Sequence, residues 1–157
     1  MELNTKGRYA VMAMADLAKQ GSAVATPLPA IAERQSISIA YLEQIFIRLR
    51  RAGLVESARG RAGGYRLSRP ASEIVIADIM SAVEEDVRMT RCGGDDGAPC
   101  LPGERCITHG LWEALGAQIT SFLSTVTLQD VLDGVPAHRG RLPVDAFINP
   151  AEAQTAR

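Results

Sequence analysis

The sequence predicts a mainly α-helical protein with a small β wing: a winged helix-turn-helix domain, a cysteine-rich loop and an attached long helix. Three observations point to it. Apolar residues recur at helical spacing through the first 50 residues, with a tight turn between the second and third helical stretches. A glycine- and arginine-rich hairpin signal follows directly. Of the 157 residues 46 % are hydrophobic and only 4 % aromatic, which suits a core of Leu, Ile, Val, Ala and Met.

Asn4 or Thr5 caps a first helix that runs to about Lys19 and is closed by Gly21, with Val11, Met14, Ala15, Leu17 and Ala18 on its apolar side. Gly21 to Thr26 reads as a loop. Pro27 and Pro29 suit the opening of a second helix, about Leu28 to Gln35. The turn Ser36-Ile37-Ser38 follows, and Ser38 caps a third helix ending near Ala52 with Gly53 beyond it. Leu42, Ile45, Phe46 and Leu49 form the core face of this helix, while Ala40, Glu43, Gln44 and Ile47 share another face flanked by Arg48, Arg50 and Arg51.

Leu54 to Ala58 and Tyr65 to Leu67 read as two strands joined by Arg59-Gly60-Arg61-Ala62-Gly63-Gly64, a wing whose tip projects two arginines. Pro70 ends the wing, and a further helix spans about Ile76 to Glu85. Arg91 to Arg105 is Gly-, Asp- and Pro-rich without periodicity. A long helix starts near Thr108 and carries Leu111, Trp112, Leu115, Ile119, Phe122 and Leu123 on one side, a dimer seam or a face packed on its own domain. Thr127 caps a last short helix, to about Leu132. The expected organisation is therefore a winged helix-turn-helix domain over residues 1–86, a metal-binding loop over 87–107 and a dimerisation helix with a short terminal helix over 108–133. A disordered tail is expected over 134–157.

The net charge of −1 conceals an asymmetry. Residues 1–75 hold 11 Lys/Arg against 6 Asp/Glu, and residues 76–157 hold 6 against 12. Six arginines and one acid lie between Arg48 and Arg66. Such a basic half fits a polyanion, and a helix fits the major groove of double-stranded DNA. Ala40, Glu43 and Gln44 then face base edges: Gln44 suits a bidentate pair with adenine, and Glu43 accepts from a cytosine amino group. Arg59 and Arg61 at the wing tip suit a narrow minor groove. Lys6, Arg8, Ser38, Tyr41, Arg48, Arg50 and Arg51 are expected on the DNA backbone, where contacts position the protein.

Cys92, Cys100, Cys106 and His109 follow the pattern Cys-x7-Cys-x5-Cys-x2-His. Thiolates with one imidazole suit an iron–sulfur cluster, and zinc accepts the same four donors; the spacing alone does not separate them. Filling the site would order the loop and fix the start of the long helix, a route to a switch. No apolar run approaches the roughly 18 residues of a membrane span, and the N-terminus lacks a signal-peptide pattern. A cytoplasmic location without membrane association is expected. No activated nucleophile, acid–base pair or phosphate loop is evident, so no enzymatic role is expected.

The chain resembles the IscR family of iron–sulfur-dependent transcription regulators. The likeness is carried by Thr5-Lys6-Gly7-Arg8-Tyr9-Ala10-Val11, Tyr41-Leu42-Glu43-Gln44, Arg48-Leu49-Arg50 and Gly53-Leu54-Val55. It continues through Arg59-Gly60, Gly63-Gly64-Tyr65, Arg91-Cys92 and Cys106-Ile107-Thr108-His109-Gly110-Leu111-Trp112, and spans residues 1 to about 133. The resemblance implies a homodimeric repressor or activator of cluster-assembly genes that holds one 2Fe–2S cluster per subunit. Its ligands would be Cys92, Cys100, Cys106 and His109, and the cluster-assembly machinery would be the donor. The Cys92–Cys100 gap is longer than the family's pattern, and Ala40 and Ile47 stand where polar side chains are more usual. Rival readings are a zinc-stabilised DNA-binding or scaffold protein, a nitric-oxide or iron-availability sensor, and an electron carrier or thiol oxidoreductase. The last leaves the wing unexplained and lacks a Cys-x-x-Cys pair.

Overall fold

The computed structural model describes residues 5–21, 25–60, 63–84, 101 and 104–134. The order is α1 (Thr5–Gln20), α2 (Leu28–Gln35), α3 (Ile39–Arg51), β1 (Val55–Ala58), β2 (Gly64–Leu67), a 3-10 turn (Ala71–Glu73), α4 (Ile76–Ala82), α5 (His109–Thr125) and α6 (Leu128–Asp133). The strands pair antiparallel, with Val55 opposite Leu67 and Ala58 opposite Gly64. It is thus mainly helical with one small sheet, as the sequence predicts.

Each helix exists because one face has somewhere to go. On α1, Ala10, Ala13, Met14 and Leu17 are buried at i, i+3, i+4 and i+7. Ile31 of α2 and Leu42, Ile45, Phe46 and Leu49 of α3 meet them in a core shared with Leu54, Val55, Ile74, Ile79 and Val83. Pro29 sits in the first turn of α2, where its missing N–H costs nothing, and Ser36 ends the helix in the left-handed conformation. The tight turn beyond it aims α3 across α2. Two ring contacts fix that aim: Tyr9 meets Tyr41 edge-on at 5.8 Å between centroids, and Phe46 meets Tyr65 of the wing at 4.7 Å.

The wing has a third rail. Thr26 N donates to Tyr65 O at 2.8 Å and Tyr65 N donates back to Thr26 O at 2.9 Å. Thr26, read from the sequence as loop, therefore braces the hairpin as an isolated bridge. The approach is so close that a Cβ on Gly64 would overlap the Thr26 carbonyl, which explains a glycine there. An ion pair between the buried Asp16 and the exposed Arg34 locks α1 to α2: Arg34 Nε and Nη2 donate to the two Asp16 carboxylate oxygens at 3.0 and 2.6 Å, and Gln35 Nε2 donates to Oδ1 at 3.0 Å.

The helix expected over Ile76 to Glu85 stops at Ala82, because Glu84 adopts φ +59° and turns the chain out of the helix. The terminal pair of helices rejoins the core. Ile76 N donates to Val126 O and Leu128 N donates to Ile74 O, and Val126 and Leu128 are buried. A capping box on Thr127 and Asp130 starts α6, which packs on α1. Along α5, Phe122 and Leu123 lean on the core, whereas Leu111 and Trp112 are exposed.

Candidate nucleic-acid interface and metal centre

The outward face of α3 carries Ala40, Glu43, Gln44 and Ile47, all exposed. They stand opposite the buried Leu42, Ile45, Phe46 and Leu49, so the core fixes which way they point. Ser38 is exposed at the N-cap and makes no side-chain cap hydrogen bond, which leaves its hydroxyl available to a ligand. Arg50 and Arg51 are exposed in the last turn, beside the helix carbonyls that favour positive charge. Tyr41 is half-buried against Tyr9. Beyond α3, Arg8 is exposed on α1 and Arg59 is exposed where β1 leaves for the wing tip. Arg61 lies outside the described residues.

Two of the expected backbone-contacting cations already have protein partners. Lys6 Nζ donates to Val83 O at 3.0 Å, and the Arg48 guanidinium pairs with the Glu84 carboxylate. The hydrogen bond from Arg48 and its charge hold the Glu84 carboxyl below the usual carboxylate range, with Lys6 adding to the effect. Val83 and Glu84 were not singled out from the sequence. Nothing local marks them, since their partners are separated from them by tens of residues. On the wing, Arg66 Nε and Nη2 donate to Glu56 Oε2 at 3.2 and 3.0 Å across a directly opposed strand pair.

Of the four residues expected to bind metal, Cys92 and Cys100 lie outside the described residues. Cys106 and His109 share one turn, because His109 N donates to Cys106 O at 3.0 Å. That bond closes a single turn, which holds the two residues together at the entry to α5. Cys106 is a free, half-buried thiol whose Sγ lies 3.6 Å from Thr108 Oγ1. His109 is buried, with Nε2 3.8 Å from Glu113 Oε2 one turn on. A thiol sulfur and an imidazole nitrogen are donor types that an iron–sulfur cluster accepts. Among the described residues no group of three or more His, Cys, Asp or Glu stands close enough to hold a metal ion.

No helix among the described residues is long and apolar enough to cross a membrane. Residues 3–134 match the model of the Rrf2 family, described as iron-dependent transcriptional regulators. The chain is 51 % identical over 133 residues to the HTH-type transcriptional regulator IscR of Photorhabdus laumondii, covering 85 % of this chain and 80 % of that one. Among solved structures it resembles CymR, the global cysteine regulator of B. subtilis, with a TM-score of 0.72 and 32 % identity over 87 % of this chain and 99 % of that one. It also resembles IscR of T. potens, with a TM-score of 0.69 and 34 % identity over 100 % of this chain and 93 % of that one.

Proposed function

The chain belongs to the Rrf2 family of iron-dependent transcriptional regulators, and from that premise we propose that it senses an iron–sulfur cluster and controls cluster-assembly genes. It is a DNA-binding winged-helix regulator and not an enzyme. The proposal adds the signal, the cofactor and the targets.

Cys92, Cys100, Cys106 and His109 would hold a 2Fe–2S cluster supplied by the assembly machinery of the cell. The observation that carries this reading is the single backbone turn that joins Cys106, a free thiol, to His109, a buried imidazole, at the start of α5. The likeness to a regulator named IscR supports it. When bound, the cluster supplies redox- and iron-responsive chemistry; the protein supplies the donors and the start of α5, which begins at His109 itself. Occupying the site would therefore bias the placement of α5.

At the duplex, Ala40, Glu43 and Gln44 with Arg59 and Arg61 would read bases. Lys6, Arg8, Ser38, Tyr41, Arg48, Arg50 and Arg51 would hold the backbone. The exposed face of α3 supports the first set and its arginine-rich last turn the second. The exposed apolar side chains Leu111 and Trp112 on α5 support a homodimer; in the cytoplasm such a dimer would act on a two-half-site operator.

Purification without oxygen tests the cofactor. A brown protein with visible absorbance and bound iron and sulfide is expected. A colourless, zinc-loaded protein overturns the cluster and leaves a zinc-stabilised regulator.

A further inference from the structure

Glu84 is an unusual residue for its place. It stands just beyond α4 with φ +59°, a conformation that L residues other than Asn and Asp adopt reluctantly. Its N–H donates to Ser81 O at 2.9 Å, closing the turn, and its side chain is three-quarters exposed. A glycine would make that turn without strain, so the turn itself does not call for a glutamate. What the glutamate adds is a carboxylate on Arg48, a cation of α3. Next to it, Lys6 is drawn to the Val83 carbonyl. The same end of α4 therefore holds two cations that face the duplex under the reading above.

We propose that Glu84 is an affinity-determining residue for DNA: its carboxylate occupies Arg48 in the free protein, as a phosphate would, and has to yield when a duplex docks. A carboxylate and a phosphate oxygen compete for the same guanidinium donors. Docking therefore exchanges an internal pair for an external one, and the net gain from Arg48 is smaller than for an unpaired arginine. An exposed glutamate carboxyl is charged at neutral pH in any case, so the competition operates there throughout. A simple staple between α3 and α4 makes the opposite prediction, because losing it would loosen α3 and weaken binding.

The proposal rests on Arg48 facing the DNA backbone. The test uses the full chain, all variants prepared alike, and a fluorescent duplex of mixed sequence followed by anisotropy over a salt series. Glu84→Gln is expected to bind roughly threefold or more tightly at low salt, an advantage that fades as salt screens the pair. In the Arg48→Ala background the same change is expected to give little or no gain, since the residue it frees is gone. Glu84→Asn, which tolerates the left-handed backbone, is expected to give the same gain and controls for any disturbance of the turn by glutamine. Binding by Glu84→Gln and Glu84→Asn that is equal to or weaker than that of the unchanged protein overturns the proposal and leaves DNA binding standing. A gain that persists undiminished without Arg48 also overturns it. Failure of every form, the unchanged protein included, to bind any duplex at low salt removes the DNA assignment of α3 and the proposal with it.

Discussion

Arg59 is exposed where β1 enters the wing tip, and Cys106 sits far along the chain beside the start of α5. Under the proposed function their roles are separable because their chemistry is. A guanidinium at a groove contributes charge and hydrogen bonds to DNA, whereas a thiolate contributes a ligand to a cluster. Arg59→Ala is expected to weaken duplex binding and leave the visible absorbance of the cluster intact. Cys106→Ala is expected to abolish the absorbance and retain binding to at least one class of operator. Mobility shifts and spectra on the same samples check both, and loss of colour and binding together in both variants would refute the separation. Gln44 is a finer case. It is exposed on a helix whose opposite face is locked in the core, so its truncation leaves the fold alone. Gln44→Ala is expected to cost about 1–3 kcal/mol at the preferred operator and to relax preference at one base pair, read by competition with single-substituted duplexes.

Between elements, the bidentate Asp16–Arg34 contact joins α1 to α2. The Arg34 hydrogen bond, aided by Gln35, holds the Asp16 carboxyl below its ordinary value although burial opposes this. A carboxyl with a lowered pKa in the folded state stabilises the fold above its unfolded-state pKa. That contribution is lost as pH falls through the folded value. Asp16→Asn is therefore expected to lower stability by about 1–3 kcal/mol at neutral pH. The gap to the unchanged protein should narrow below about pH 4. Urea unfolding across that range measures it, and a gap that stays constant with pH contradicts the assignment. The wing depends on a second joint, the pairing of Thr26 with Tyr65. Gly64→Ala places a methyl group against the Thr26 carbonyl and is expected to destabilise by about 1–3 kcal/mol, with weaker DNA binding because the Arg59 hairpin is displaced. Thermal unfolding and anisotropy read the two effects.

At the scale of the whole molecule, α5 carries the surface on which the proposed dimer would form. Its C-terminal half leans on the winged-helix core through Phe122 and Leu123, while Leu111 is 62 % and Trp112 41 % exposed, with Ile107 fully exposed just before the helix. A cluster of large apolar side chains in water is an interaction surface, and a symmetric partner would cover it with the same residues. With that surface as the seam of the proposed dimer, Leu111→Asp is expected to give monomers by sedimentation. Operator affinity should drop steeply, because a monomer reaches one half-site and forgoes the gain from linking two. An unchanged dimer would place the seam elsewhere.

The helix-turn-helix, the hairpin and the two C-terminal helices were legible from the sequence because what specifies them acts over a few residues. Periodic apolar positions such as Leu42, Ile45, Phe46 and Leu49 define a face, and Gly53 and Thr127 mark element ends. The outward set Ala40, Glu43, Gln44 and Ile47 was legible for the same reason, as the complement of the core face. The third rail of the wing, the capture of Lys6 and Arg48 by the end of α4, and the burial of His109 were decided only when the chain packed. Each joins or encloses groups that are distant in sequence, so it depends on how helices lie against one another, and no local pattern of residues encodes that geometry.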